Sequence, residues 1–386
     1  MTQRQLFLNH IAQTTSSPLM LEIVRAQGVF MFDNEGKQYI DMISGISVSN
    51  VGHCHPKVVE AIQKQSETFM HLMVYGEYIY SPQVLLAQEL LTILPNSLDN
   101  FYFTNSGTEA VEGALKLAKR STGRHEIISF KNAYHGSTAG ALSIMGSETY
   151  KMNYRPLIPG HSHIAYNHEP DLEKITPQTA AVVVEMVQAE AGIVPGHIEF
   201  IQKLKAKCQE VGALLIADEI QTGCGRTGRF FAFEHYSIVP DILLIGKGFG
   251  GGMPIAAFIA NKDLMANLSH NPILGHLSTF GGNAVCCAAA LATIKVIKEE
   301  ISMHDVESKG AYLQEKLEAK GYKNIRRKGL MMSIDFGSQE KNFEAVADFI
   351  QKGVITDWFL FNTQSMRICP PLNISYDELD WALAKF

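Results

Sequence analysis

"DILLIGKGFGGGMP" (residues 241–254) runs an apolar stretch into a lone lysine, Lys247, and then into Gly248, Gly250, Gly251, Gly252 and Pro254. Two phosphate-binding motifs compete for this tract. "GKGFGG" (246–251) satisfies G-x-G-x-x-G. That fingerprint, however, needs a helix opening inside it, and these glycines with Pro254 break one, while "IAAFIAN" follows as a strand. A Walker loop needs Ser or Thr after the lysine and a glycine at 241; Gly248 and Asp241 stand there. The stretch therefore reads as a buried strand that ends on a lysine.

Other apolar runs of strand length share its texture: "EIISF" (126–130), "AAVVVEMV" (180–187) and "ALLIADEI" (213–220). Near-continuous apolar strands belong to a sheet covered on both faces. Helical patterns lie between them, "GTEAVEGALKLAKRST" (107–122) and "IEFIQKLKAKCQEVG" (198–212). This alternation predicts an α/β domain with a mainly parallel sheet. From Asn283 the chain reads as one long helix leading away, and residues 310–386 mix amphipathic helices with the short strands "LMMSIDF" and "SMRICPPL". "GVFMFDNEGKQYIDM", near the N-terminus, predicts a hairpin around Asn34-Glu35-Gly36. The expected division is an N-terminal segment (1–48) packing with a small domain, a large domain (49–290) and a C-terminal small α+β domain (291–386).

A chain of 386 residues is long for one compact unit, which fits this division. Hydrophobic residues at 46% and charged ones at 19% describe an ordinary globular protein, and a net charge of -6 offers nucleic acid no basic face. The short cluster Arg326-Arg327-Lys328 reads as a solvated turn. Cys54, Cys208, Cys224, Cys286, Cys287 and Cys369 show no C-x-x-C pair and no regular spacing, so no disulfide framework and no metal site is expected. The first residues lack the apolar core of a signal peptide, and no stretch reaches membrane-span length. A cytoplasmic protein is expected, with neither membrane nor nucleic acid as partner.

The chemistry concentrates at strand ends. Ligands of open parallel sheets sit beyond the carboxyl ends of the strands, where "ALLIA" ends on Asp218 and "DILLIG" on Lys247. Upstream, Asn105-Ser106-Gly107-Thr108 opens a helix, and free amides at the positive end of its dipole suit a phosphate. An ordinary N-cap by Ser106 or Thr108 is the other reading. Lysine, aspartate and phosphate site together suggest a cofactor with an aldehyde, a basic ring nitrogen and a phosphate. Pyridoxal 5'-phosphate has all three.

On "GKQYIDMISGISVSNVGHCHPKV", "TNSGTEAVEGALKLA", "AYHGST", "VEMVQAEAGIVP", "ADEIQTGCGRTG", "LLIGKGFGGGMP", "STFGGNAVCCAAALA" and "MRICPPL", the chain resembles the class III (ω-type) aminotransferases of fold type I, over nearly its whole length. The resemblance implies a mainly parallel seven-stranded sheet in the large domain. It implies that Lys247 forms the Schiff base with pyridoxal phosphate and shuttles the proton, which asks for a desolvated amine. Asp218 would pair with the pyridine nitrogen and Gln221 with the phenolic oxygen. Tyr134 and Ile220 would face the two sides of the ring, with His135 as a neighbour and Glu185 as a brace. Ser106, Gly107 and Thr108 match the phosphate cup, and Thr279 matches the threonine that reaches it from a second subunit, which implies a homodimer. The glycines around Lys247 read as clearance beside the cofactor. His53-Cys54-His55 is a turn before a helix in this family, not a metal cluster.

Arg367 matches the arginine that holds a substrate carboxylate, and Glu190 the glutamate that pairs with it when an ω-amine enters, as in the acetylornithine, ornithine and 4-aminobutyrate aminotransferases. Both together imply an ω-amine donor in one half-reaction and glutamate with 2-oxoglutarate in the other. Those enzymes usually carry an arginine where Ser137 stands, and a hydroxyl replaces neither its charge nor its paired donors. "YHGST" is closer to branches that use pyruvate or other acceptors. Tyr154, Arg155 or the N-terminal hairpin are the candidates for the missing contact. An aminomutase or racemase would share Lys247 and Asp218 but has no use for the Glu190 and Arg367 pair.

Overall fold

The computed structural model describes residues 2–386. Among the described residues the main sheet has seven strands, in the order Asn100–Thr104, Ala256–Ala260, Ile242–Ile245, Leu214–Asp218, Thr179–Val184, Glu126–Phe130, His161–Ile164. Ala256–Ala260 is antiparallel to both neighbours, and the other pairings are parallel. The strands beside Leu214–Asp218 are buried at every position, as double coverage requires. The long-range order thus agrees with a fold type I sheet.

Helix Gly107–Thr122 covers one face through Ala110, Val111, Ala114, Leu117 and Ala118, and ends on Gly123 in the left-handed conformation, where a glycine meets no Cβ penalty. Of the apolar positions Ile198, Ile201, Leu204 and Cys208 that its periodicity marks, helix Ile198–Val211 buries the last three and leaves Ile198 half exposed at its first turn. Helix Ala284–Glu300 packs on Pro56–Thr68 and Ser81–Leu91. The N-terminal hairpin forms as expected, Phe30–Asp33 against Gln38–Asp41, and the latter pairs in parallel with Val354–Ile355. A four-stranded antiparallel sheet, Ile325–Lys328, Met331–Asp335, Asn362–Ile368, Asp357–Phe359, carries the C-terminal residues.

Arg326, Arg327 and Lys328 correct one expectation. They form an edge strand, not a turn: Arg326 Nε donates to Gly192 O at 2.7 Å, and Arg327 Nη1 meets Glu307 at 2.8 Å. The two arginines are thus tied to neighbouring segments. Among the described residues no helix is long and apolar enough to cross a membrane.

Candidate active site

Three adjacent strands deliver charged groups to one edge of the main sheet. Glu185 follows Thr179–Val184, Asp218 ends Leu214–Asp218, and Lys247 follows Ile242–Ile245 across Gly246. Together with Gly107, Thr108, Tyr134, His135, Ser137, Ile220 and Gln221 they line a cavity of about 290 Å³. The crevice lies where open α/β sheets bind ligands.

Lys247 sits at φ 46, in the left-handed region, at the start of the turn Lys247–Gly250. Its Nζ donates to Gln221 Oε1 at 3.0 Å. Burial, its largest influence, pulls the ammonium pKa below the ordinary lysine value against the pull of Glu190 and Asp218. The glycines that follow do clear space, but for protein: a Cβ on Gly248 would strike Asn50, one on Gly250 would press on Ile255, and one on Gly251 would strike Thr293. Three of these glycines thus make room for neighbouring side chains.

Asp218 Oδ2 lies 2.7 Å from His135 Nδ1 in a buried pair. Burial alone would lower the His135 pKa, and the bond and charge of Asp218 outweigh it and raise it. Glu185 accepts from the Tyr134 and Ala189 amides. Burial pushes its carboxyl up to about 7. The expected brace is thus tied to the backbone beneath Tyr134.

At the helix N-terminus, Ser106 is the N-cap and accepts from the Glu109 amide. Thr108 Oγ1 shares a hydrogen bond of 2.7 Å with Thr138, whose hydroxyl donates to Glu112. Gly107 and Thr108, not Ser106, face the cavity. Thr279 is exposed and lines a different hollow with Asn105 and Glu109. His53 bonds Asp41 and His55 approaches Glu300, and among the described residues no metal-binding group forms.

Arg367 and Glu190 meet as expected, Nη2 to Oε2 at 2.9 Å, both buried. Arg367 Nη2 also donates to Trp358 O, and the guanidinium lies 4.7 Å from the Phe359 ring centroid. Its Nε and Nη1 donate to no acceptor among the described residues. Buried donors without acceptors are costly, and of the two only Nη1 has no charged neighbour, since Asp357 Oδ1 stands 3.3 Å from Nε. Arg155 is engaged by Glu148 at 3.1 Å, while Ser137 is exposed near the Tyr134 hydroxyl.

Sequence reasoning missed two groups. Tyr150 and Tyr134 flank Phe361, with ring centroids 5.5 and 6.4 Å away, and Tyr150 donates to Leu360 O. Asp357 stands 3.3 Å from Arg367 Nε. Burial pushes its carboxyl up to about 6 even beside that cation. The pairing of 357 with 367 carries a register shift between Trp358 and Phe359, so the alternation in "TDWFLFNTQSMRI" does not mark it.

The cavity fits pyridoxal phosphate. Gln221 Nε2 and His135 Nε2 are buried without a partner among the described residues, a primary amine reaches the middle, and amides at a helix N-terminus close one end. Comparison with known proteins agrees. The chain is 38% identical over 378 residues to the acetylornithine aminotransferase of Archaeoglobus fulgidus, covering 97% of this chain and 96% of that one. It is 38% identical over 368 residues to the [LysW]-aminoadipate semialdehyde/glutamate semialdehyde transaminase of Sulfolobus acidocaldarius, covering 94% and 92%. The ornithine aminotransferase of Toxoplasma gondii, solved with partial occupancy of PLP at its active site, superposes with a TM-score of 0.92 at 29% identity, over 99% of this chain and 92% of that one. The family model for class III aminotransferases matches residues 11–386. A match that takes in both the strand-end lysine and Arg367, joined to full-length relatives more than a third identical, settles the family: this chain belongs to the class III, pyridoxal phosphate-dependent aminotransferases.

Proposed function

We propose that this enzyme moves an amino group from the terminal amine of an acetylornithine, ornithine or 4-aminobutyrate type donor to 2-oxoglutarate, by a ping-pong mechanism in one site. The observation that carries the reading is the buried Glu190–Arg367 pair, in which Arg367 Nη1 has no partner among the described residues. A terminal amine brings no carboxylate on its reacting carbon, so Glu190 stays on Arg367. A 2-oxo acid or glutamate does bring one, and the guanidinium turns to it. The acetylornithine aminotransferases among its relatives support the donor class.

Pyridoxal phosphate, when bound, supplies an electron-poor ring that takes up the electron pair of the breaking C–H bond. Lys247 Nζ, whose burial favours the neutral amine, would take that proton and return one at the end of each half-reaction. Asp218, oriented by His135, would hold the pyridine nitrogen, and Gln221 Nε2 the phenolic oxygen. Tyr134 and Ile220 would bracket the ring, Gly107 and Thr108 would hold the phosphate, and Ser106 supports them as N-cap. Glu185 braces the Tyr134 backbone.

A homodimer belongs to this reading. Met70, Met73, Ile79, Ile273 and Phe280 are exposed apolar side chains near Thr279 in sequence or space, a surface that a second copy would cover. Free thiols at all six cysteines accord with a cytoplasmic setting. The test is a half-reaction screen. Enzyme loaded with acetylornithine, ornithine or 4-aminobutyrate is challenged with 2-oxoglutarate or pyruvate, while borohydride reduction and peptide mapping locate the cofactor. Label on Lys247 and discharge by 2-oxoglutarate are expected. Preference for pyruvate would mean that Ser137, in place of the usual arginine, has changed the acceptor.

A further inference from the structure

Arg367 has two carboxylate neighbours, and they are held in different ways. Glu190 reaches it from the loop after Val187–Gln188, and its Oε2 also accepts from the Leu360 amide. Asp357 is the direct cross-strand partner of Arg367, Asp357–Phe359 running antiparallel to Asn362–Ile368. Backbone register therefore sets its distance, whereas Glu190 can leave by side-chain rotation. Arg367 is 2% exposed and Asp357 19%, so solvent screens the pair little. With both acids charged, one cation lies between two anions and the pocket carries a net negative charge.

We propose that Asp357 is a fixed second counter-ion of Arg367 that tunes substrate preference, weakening the hold on substrates with a carboxylate on the reacting carbon relative to terminal amines that have none there. This rests on the reading of Arg367 as the carboxylate anchor. When Glu190 withdraws, the guanidinium is not bare, and an arriving carboxylate must approach it against the field of Asp357. A terminal amine meets no such opposition. The enzyme thereby trades affinity for glutamate and 2-oxoglutarate against preference for its donor.

The experiment uses holoenzyme of the wild type, Asp357→Asn and Asp357→Glu, with KM and kcat measured for acetylornithine, glutamate and 2-oxoglutarate separately. Removing the charge is expected to lower KM for glutamate and 2-oxoglutarate by about tenfold, with less than about threefold change for acetylornithine. Asp357→Glu is expected to keep the wild-type ratio. Equal shifts for both substrate classes, or none, would overturn the proposal, since a purely structural residue moves them together. Should the Asn variant fail to fold, Asp357→Ser is judged by the same ratio. Arg367→Lys separates the two levels: if it leaves KM for both carboxylate substrates unchanged, the anchor itself is misassigned. If it raises them while Asp357→Asn does nothing, only the role of Asp357 falls.

Discussion

Lys247 carries two costs in the folded chain. A non-glycine residue in the left-handed region is strained by about 1–3 kcal/mol, and its amine is desolvated. Because burial lowers its pKa, the cofactor-free fold binds fewer protons at this residue than the unfolded chain does. The resulting penalty is full below the lowered pKa of the fold, fades as pH rises from there toward the ordinary lysine value, and is gone above it. Cofactor-stripped Lys247→Met should therefore unfold at a higher temperature than stripped wild type at pH 7, the gap narrowing toward pH 10. A gap independent of pH would mean that the amine is solvated in the fold. This residue was legible because a lysine after a fully apolar strand has few other uses, and Asp218 was legible for the same reason. Asp357 was not, since its meaning comes from cross-strand register and a neighbour ten positions on. The glycines after Lys247 were half legible: their sharp turn follows from residue type, but only the fold shows Asn50, Ile255 and Thr293 behind them.

The helix Gly107–Thr122 shows how an element places a site. Its N-terminus faces the cavity only because its middle lies close against Ala256–Ala260, and a Cβ on Gly113 would come within 2.2 Å of the Phe258 ring. Gly113→Ala would force the helix off the sheet, at a cost of about 1–3 kcal/mol for overpacking. The same shift carries Gly107 and Thr108 away from the phosphate. Lower thermal stability together with weaker pyridoxal phosphate binding is the expected outcome, read by unfolding and by cofactor titration. Lost stability with unchanged cofactor affinity would detach the helix position from the phosphate site. The bounds of this helix were readable from its cap and periodicity, and those of the buried strands came within a few residues. The edge strand Ile325–Lys328 was not readable, because three consecutive cations mask an extended segment whose partners lie 20 and 134 positions away.

At the scale of the whole molecule the decisive residue is Thr279. Within one chain it is exposed and lies outside the Lys247 cavity, beside Tyr75, whose hydroxyl stands 3.3 Å away. The proposed dimer gives it a site by bringing it to the cavity of the second copy. Two inactive or weakened variants test this without any need to see the interface. Lys247→Ala removes the proton-transfer amine, and Thr279→Ala weakens cofactor hold at limiting pyridoxal phosphate. In a mixed dimer formed after partial denaturation and renaturation, one cavity lacks both the lysine of its own chain and the threonine of the other. Its counterpart keeps Lys247 from its own chain and Thr279 from the other, and is intact. If Thr279 acts across the interface, mixing the two variants should therefore restore activity, up to about a quarter of wild type for random pairing of equal amounts. If Thr279 serves its own cavity, the mixed dimers contain no intact site, and activity stays at the average of the two parents.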